Sequence, residues 1–556
     1  MSRRSAALIA LLLCFACLRD EQPAQQPSRT PKKPAAAADA GTPQEGGTLV
    51  RRIEADVVTL NPITSTSTYD RQVVDYLFTP MVYLDQDLEP IPGLADSWEI
   101  LEGGRLYRFE LNQKATFADG TPVKASDVVF TLKKIFDPTS EALQIIGAFE
   151  YLDLARTRAV DDDTVEIGFR QPLAAQLIRF HDVMVLPEHV YSKGKFREDF
   201  NSTAVGSGPY RLVKRDPGKE VIIERREDYW REKPPLKRVI FKVISDHATA
   251  WNALRRGDID ETRLSSDVWR REHQNPQYAN SVDFRRFYTM SYNFIAWNLR
   301  TPRLADKRVR QALSMCIPTQ SVINDLYYGT ARAMSGPFTP DSFAYNPTVP
   351  VIRHDLTGAK RLLTNAGWMD SNGDGVVDSK GKPLKIELIL MAGNATTLQF
   401  GQMLQGEMKK IGVQLELSVL DFSSAIQRIM NGNYEAAYFG YDLDNDPDPF
   451  NILHSSQVPP RGQNFAYYAN PEIDRIIVQA RSEMDRSKRK DLYWRLHEIV
   501  AADQPYTFTV QVSSKWGLHK RVRGAEVSGY GLYRWFPGPL GWWIPRDQRA
   551  HDRAGQ

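Results

Sequence analysis

Alternating apolar and polar positions mark strands at several points along the chain. Residues 47–63 (GTLVRRIEADVVTLNPI) read as a strand followed by a loop, and Tyr107 to Leu111 as another strand. The run Ala118-Asp119-Gly120-Thr121-Pro122 is a turn. A helix is expected to start near Ser126, a residue able to cap it, with Asp127 in its first turn. Between 210 and 245 the stretches YRLVKR, EVIIERR and RVIFKVI are strand candidates, followed by a helix over 246–260 that ends at Gly257. Helical periodicity covers 306–330 and 356–367, closed by Gly329 and Gly367. The strands IELILMA and QLELSVL flank a helix at about 398–411, a βαβ signature, and a final helix is expected over 471–502. Strands and helices alternate throughout without an internal repeat, so the fold class is α/β or mixed α+β with several lobes.

Composition narrows the picture. With 556 residues, 42% hydrophobic and 25% charged, the chain can build two or more sizeable cores. A net charge of +3 with no basic stripe excludes a nucleic-acid binder. Twenty-three tyrosines and eleven tryptophans suit a pocket lined with rings (Tyr 23, Trp 11).

The first residues have a different logic. Arg3 and Arg4 precede an apolar run from Ala6 to Ala16, too short to span a bilayer, and the small Ala16 stands before Cys17. Residues 1–16 thus read as a signal peptide and Cys17 as a lipid attachment site, although Cys14 and Phe15 depart from the usual lipoprotein pattern. Cleavage there removes two arginines and no acid, taking the formal charge from +3 to +1. Residues 17–46, rich in Gln, Pro, Ala and Thr, read as an extended tether. With Cys17 lipidated, Cys316 has no partner for an internal disulfide.

Candidate chemistry is sparse. His497-Glu498 opens like a zinc-protease helix, but Ala501 replaces the second ligand. Gly206-Ser207-Gly208-Pro209 is not a nucleophile elbow. Gly375 to Lys382 has the wrong spacing for a phosphate loop. Asp370, Asn372, Asp374 and Asp378, with Gly375 at the sixth position, match a calcium loop except that Gly381 replaces the bidentate Glu. The same residues build tight turns without any ion. The richest segment is Tyr441 to Gln457, YDLDNDPDPFNILHSSQ. Asp442, Asp444, Asp446 and Asp448 alternate, and Pro447 and Pro449 exclude both helix and central strand. Such a stiff acidic loop either faces solvent as a turn or meets a cation such as an ammonium group.

The order of short motifs then becomes informative: Leu60-Asn61-Pro62, LADSWE (94–99), FADGTPVKASDVVF (117–130), VGSGPYRLV (205–213), EDYW (227–230) and GDID (257–260). DKRVRQAL (306–313), AKRLLTNAGW (359–368), GYDLDNDPDPF (440–450) and YYANPEID (467–474) follow. From about residue 46 to 540 this series resembles the family 5 extracellular solute-binding proteins, the dipeptide/oligopeptide-binding proteins of bacterial ABC importers. Individually, the motif residues have structural readings. Trp98, Trp230 and Trp368 are expected in lobe cores, and Arg308 and Arg310 in structural ion pairs.

The resemblance implies a two-lobed periplasmic-binding-protein fold with an extra inserted domain and a hinge crossed twice, near 288–298 and 512–522. Lobe I would comprise 47–82, 204–290 and 515–546, the inserted domain 83–203, and lobe II 291–514. Ligand would sit between the lobes, which close by hinge motion. The implied function is peptide capture for a membrane permease, with no catalysis and no cofactor, by a monomer lipid-anchored at the periplasmic or cell-surface side. In peptide-binding members an Asp on the matching loop meets the peptide's ammonium. Counting from Tyr441, which stands where many relatives carry Trp, gives Asp444, with Asp446 as the alternative. Tyr292, Asn293, Trp297 and Asn298 are further cleft candidates, each equally readable as part of a buried strand. The resemblance assigns no role to His454–Gln457. The same fold also serves oligosaccharides, nickel chelates and haem. A secreted hydrolase is disfavoured for want of a catalytic constellation, and a sensor role is open.

Overall fold

The structure, a computed structural model, describes residues 41–552 apart from 66, 143, 144 and 445. The expected signal peptide, Cys17 and most of the tether lie outside the described residues.

Three sheets organise the chain. A seven-stranded sheet has the order 282–287, 514–519, 261–263, 48–53, 238–243, 220–225, 210–216. Its strand Thr48–Ile53 is buried along its whole length and runs parallel to both neighbours, as a strand covered on both faces must be largely apolar. The two arginines it buries are satisfied. Arg51 pairs with Glu261 at 2.6 Å, and Arg52 donates to the carbonyls of Ile244 and Ser245. A five-stranded sheet has the order 414–420, 385–391, 436–442, 291–297, 506–508, mixing parallel and antiparallel pairs. A four-stranded antiparallel sheet (95–101, 106–111, 164–169, 152–159) stands apart from both. The chain passes from the seven-stranded to the five-stranded sheet through residues 288–290 and returns through residues 509–513, which include the strand Val510–Val512 paired with Ala331–Ala333.

Hydrophobic burial follows these sheets. One core joins Leu49, Phe241 and Tyr210 of the large sheet to Phe109, Phe149 and Phe180 around the four-stranded one, so these two regions pack as a continuous unit. Two further cores cover opposite faces of the five-stranded sheet. Trp98 and Trp230 pack against the first core, and Trp368 against one of the latter two.

Several motifs are explained by packing. A Cβ on Gly206 or Gly208 would lie 2.0 or 2.5 Å from the backbone of Leu77, so only glycine lets this segment cross the end of helix Thr68–Leu77. In the GDID motif, Asp260 accepts the Val50 N–H at 2.7 Å and pairs with Arg521, tying the first strand to the last one through a buried carboxylate. Three helix expectations need correction. The helix Ala125–Ile135 starts before Ser126, because Asp127 accepts the Lys124 N–H at 2.9 Å and so closes the turn one residue earlier than expected. The helix over 306–330 is broken at Pro318, leaving Lys307–Ser314 and a second helical stretch, Thr319–Ser321 continuing as the π-helical turn Val322–Leu326. The helix over 471–502 is two, Pro471–Ser482 and Arg486–Asp503, the second capped by Asp485. Helix Phe422–Met430, absent from the sequence reading, covers the five-stranded sheet. Arg308 pairs with Asp306 as expected, but Arg310 donates to the carbonyls of Leu304, Ala305 and Gln504 instead of to an acid.

Candidate functional site

The acidic loop grows out of the strand Ala436–Asp442, which lies inside the five-stranded sheet. Its antiparallel partner is Ser291–Trp297, in the register Ser291↔Asp442, Tyr292↔Tyr441, Asn293↔Gly440 and Trp297↔Ala436. That register separates the predicted cleft residues. Tyr292 and Asn293 stand beside the loop. Trp297 and Asn298 stand at the other end of the strand, about 20 Å away at roughly 3.3 Å per residue.

Trp297 is 0% exposed and its indole N–H donates to Thr507 Oγ1 at 2.8 Å, so it serves the core. Asn298 is buried too, its amide donating to the Tyr434 carbonyl at 2.8 Å. It borders an open polar concavity of about 770 Å³ in which Arg303 pairs with Glu435 and Arg428 with Glu387, so these charges are already matched. Tyr292 is buried edge-on against Phe508 and supports the loop from beneath. Asn293 is half-buried, its amide donating to the hydroxyls of Tyr438 and Tyr327 at 3.1 and 3.4 Å. Tyr441 packs half-buried against one lobe core.

The four aspartates have four different environments. Asp446 points into the five-stranded lobe, where Arg489 meets it at 2.7 Å and both side chains are 7% exposed. This buried pair and the hydrogen bond from Tyr493 to the Pro447 carbonyl (2.6 Å) pin the loop to helix Arg486–Asp503. Asp446 therefore braces the loop, and its charge is spent on Arg489. Asp448 is shared by two arginines from opposite sides, Arg481 at 3.0 Å and Arg179 at 3.2 Å. Arg481 also pairs with Glu150, donates to Tyr151 Oη at 2.9 Å and stacks 4.1 Å over Phe450. These contacts join the five-stranded lobe to the region around the four-stranded sheet.

Asp444 is different. It is exposed to solvent, and among the described residues its carboxylate has no hydrogen bond or ion pair. Protein nonetheless surrounds it. This crowding is the main cause of a carboxyl pKa raised above the usual range, reinforced by Asp182 and Asp448 and opposed by Arg179 and Arg534. Solvent access thus combines with charges from across the loop, Arg179, Asp182 and Arg534. Facing it, Arg534 and Arg71 both hold Asp182, at 2.9 and 3.3 Å. Asp442, also exposed, is raised by crowding and drawn the other way by Arg263 of the seven-stranded sheet. The arginines that brace this loop (Arg179, Arg481 and Arg489) were not singled out in the sequence. They come from distant segments, and no local spacing marks them.

The second acidic loop is closed on itself. Asp370 accepts the N–H groups of Gly373 and Gly375 at 2.8 and 3.0 Å, and Asp374 that of Val376 at 2.8 Å. Asn372 donates its amide to Asp374 at 3.0 Å, and Asp378 accepts from both N and Oγ of Ser371. No group of three or more His, Cys, Asp or Glu suited to a metal gathers among the described residues.

Comparison with known proteins places this architecture. The chain is 27% identical over 556 residues to the oligopeptide-binding protein AppA of Bacillus subtilis, covering 96% of this chain and 99% of that one. The solved structure of AppA in complex with a nonapeptide superposes with a TM-score of 0.74 at 26% identity, covering 91% and 100% of the two chains. The nickel-binding periplasmic protein of Escherichia coli is 27% identical over 440 residues, 76% of this chain and 82% of that one. Residues 89–463 match the profile of the bacterial extracellular solute-binding proteins, family 5. With two thirds of its length inside that profile and a two-lobed relative superposing along nearly all of it, the chain belongs to the family 5 bacterial extracellular solute-binding proteins.

Proposed function

We propose that this protein captures peptides between its lobes, holds the peptide's N-terminal ammonium on Asp444 and delivers the cargo to the permease of an ABC importer. The observation that carries the reading is the contrast within one loop. Asp446 and Asp448 are neutralised by arginines while Asp444 stands crowded, solvent-facing and without a partner among the described residues. A desolvated ammonium–carboxylate pair is strong and selective, because a ligand lacking the ammonium leaves the carboxylate unpaired. AppA, a relative along almost the whole chain, is named for oligopeptides. The lobes are 47–82 with 204–290 and 515–546, and 291–514, with 83–203 inserted in the first. The protein acts as a monomer, exported by residues 1–16 and anchored through a lipid on Cys17. Among the described residues no helix is long and apolar enough to cross a membrane.

A second reading, a metal chelate or haem as cargo, is favoured by the nickel-binding relative. Mass spectrometry of ligand released from purified protein separates the two. Peptides are expected, and a chelate or haem in their place overturns the peptide reading. Calorimetry then tests the anchor, with free-amine peptides expected to bind at least tenfold more tightly than their N-acetylated forms. Equal affinities would remove Asp444 from that role.

A further inference from the structure

Besides the two covalent crossings at 288–290 and 509–513, a second connection joins the five-stranded lobe to the region 83–203. It is centred on Arg481, in the last turn of helix Pro471–Ser482. A helix leaves the carbonyls of its last turn without donors of its own, and the Ala174 N–H donates to the Arg481 carbonyl at 2.7 Å. The Arg481 guanidinium pairs with Glu150 and donates to Tyr151 Oη at 2.9 Å, both on the same side of the connection as Ala174. Asp448 binds Arg481 from within its own lobe at 3.0 Å and Arg179 from across at 3.2 Å. Arg179 ends the short helix Gln176–Arg179, just beyond Ala174. Arg486, which starts the next helix of the five-stranded lobe, reaches over to Glu89. The Arg481 and Asp448 side chains are 9% and 8% exposed, so the centre of the connection is shielded from solvent while its rim at Glu89 and Arg486 is open.

The partition of charge suits a connection that is made and unmade. Arg481 and Asp448 belong to one side, Arg179 and Glu150 to the other, so each side holds one cation and one acid. On separation Arg481 keeps Asp448, and Arg179 keeps the Ala148 carbonyl, to which it donates at 3.2 Å beside Glu150. Neither side is left with a buried charge whose counter-ion has gone, which is the costly outcome for a buried pair. We infer that this connection is a releasable latch, by which the region 83–203 clasps the five-stranded lobe when the lobes close and lets go when they part. The inference holds whatever the cargo is and does not rest on the peptide reading. It gives the region 83–203 a part in capture. Asp448 and Asp444 share one loop, and Arg179 pairs with the first while its charge also acts on the second. Closing the latch therefore fixes the acidic loop. A ligand that draws the lobes together is then held by the latch as well as by its own contacts.

Cross-linking measures the latch on the full chain with Cys14 and Cys17 replaced by Ser, Cys316 being 0% exposed and out of reach of reagent. Glu89→Cys and Arg486→Cys place a reporter at the rim and sacrifice only the outer ion pair. The rate at which a short bis-maleimide bridges the two cysteines scales with the fraction of closed protein. Single alkylation by N-ethylmaleimide controls for reactivity, and circular dichroism for folding. Adding Glu150→Gln and Arg179→Gln to the reporter removes both charges that the region 83–203 brings to the centre. Bridging should then slow about tenfold, with single alkylation and the spectrum unchanged. Arg179→Lys keeps a cation on Asp448 and should restore most of the rate lost in Arg179→Gln. Should the double variant fail to fold, Glu150→Gln alone, at a side chain 36% exposed, should slow bridging about threefold. An unchanged bridging rate in these folded variants shows that the two regions stay together without the latch and overturns the inference. A reporter that never bridges overturns it too, because Glu89 and Arg486 then do not meet.

Discussion

The loops 370–378 and 441–450 are both dense in aspartate, and they do opposite things with it. In 370–378 the carboxylates turn back onto their own backbone N–H groups, so the loop is a self-satisfied turn. In 441–450 Asp448 alone among the described aspartates turns back, accepting the Phe450 N–H at 3.2 Å, and distant arginines neutralise it and Asp446 while leaving Asp444 open. The lesson is that residue type and local density do not make a binding site. What sets 441–450 apart is that the fold braces it from outside and leaves Asp444 solvent-facing without a partner among the described residues, which is what the proposed function uses.

The comparison breaks most visibly at the brace. Asp446→Ala leaves Arg489 buried without its counter-ion, at a cost of about 3–5 kcal/mol. Thermal or denaturant unfolding should show that loss, whereas Asp444→Asn should leave the unfolding midpoint within a degree or two. Replacing both members of the pair by apolar residues of similar size should restore much of the stability, because the penalty belongs to the orphaned charge. Equal destabilisation by the substitutions at 444 and 446 would end the distinction between brace and anchor.

Asp444→Asn should act on binding instead. A hydrogen bond to a charged group contributes about 1.5–3 kcal/mol, so affinity for free-amine peptides should fall roughly tenfold to hundredfold. N-acetylated peptides should bind both proteins alike. Asp446→Asn, if it folds, should weaken both peptide forms together, because it loosens the loop without touching the ammonium.

Acidification offers a gentler version of the same experiment. The Asp444 carboxyl titrates above the usual range of about 4, chiefly because protein crowds it. As pH falls through that raised value the carboxylate gains a proton and the ammonium loses its partner. Affinity for free-amine peptides should therefore start to decline at a higher pH than an ordinary aspartate would dictate, and N-acetylated peptides should show no such decline. Buried histidines set the lower limit for this measurement. Burial holds His181 and His497 down to about 4, so the fold keeps them neutral while the unfolded chain protonates them near 6.5. Their stabilising contribution is complete above about pH 6.5 and is lost as pH falls towards 4. Binding should accordingly be followed alongside an unfolding signal.

Much of the fold was legible in the sequence because period-two runs and glycine stops are local signals. The strand Thr48–Ile53, the helix closed by Gly257 and the βαβ unit around residues 385–420 all lie close to where their patterns put them. Breaks inside long helical patterns were less legible, as at 483–485, where Asp485 caps a new helix within a stretch that otherwise favours continuity. The site divided in the same way. Asp444 could be reached by counting along a motif, but the partners that empty or fill each carboxylate could not. Arg489 stands 43 residues from Asp446, and Arg179 stands 269 residues from Asp448. Trp297 and Asn298 stand at the strand end away from the loop, which sequence does not reveal because a strand's two ends look alike. Only the register with Ala436–Asp442 shows which end meets the loop.

The smallest expected effect is on the other loop, and it probes the comparison from its quiet side. If 370–378 is a turn closed by its own hydrogen bonds, calcium has little to add. Each carboxylate already accepts backbone N–H groups, Asn372 spends its amide on Asp374, and the chain offers Gly381 where a calcium loop places a bidentate Glu. Millimolar calcium should shift the unfolding midpoint by less than about one degree, since a ligand stabilises only in proportion to its concentration over its Kd. Asp374→Asn keeps an acceptor for the Val376 N–H and should cost no more than about 0.5 kcal/mol, the range of ordinary surface substitutions. A midpoint that climbs by several degrees with calcium, and stops doing so in Asp374→Asn, would show that these carboxylates leave their backbone partners for an ion. The two loops would then differ in which cation they meet, and the contrast between a closed turn and an open anchor would no longer hold.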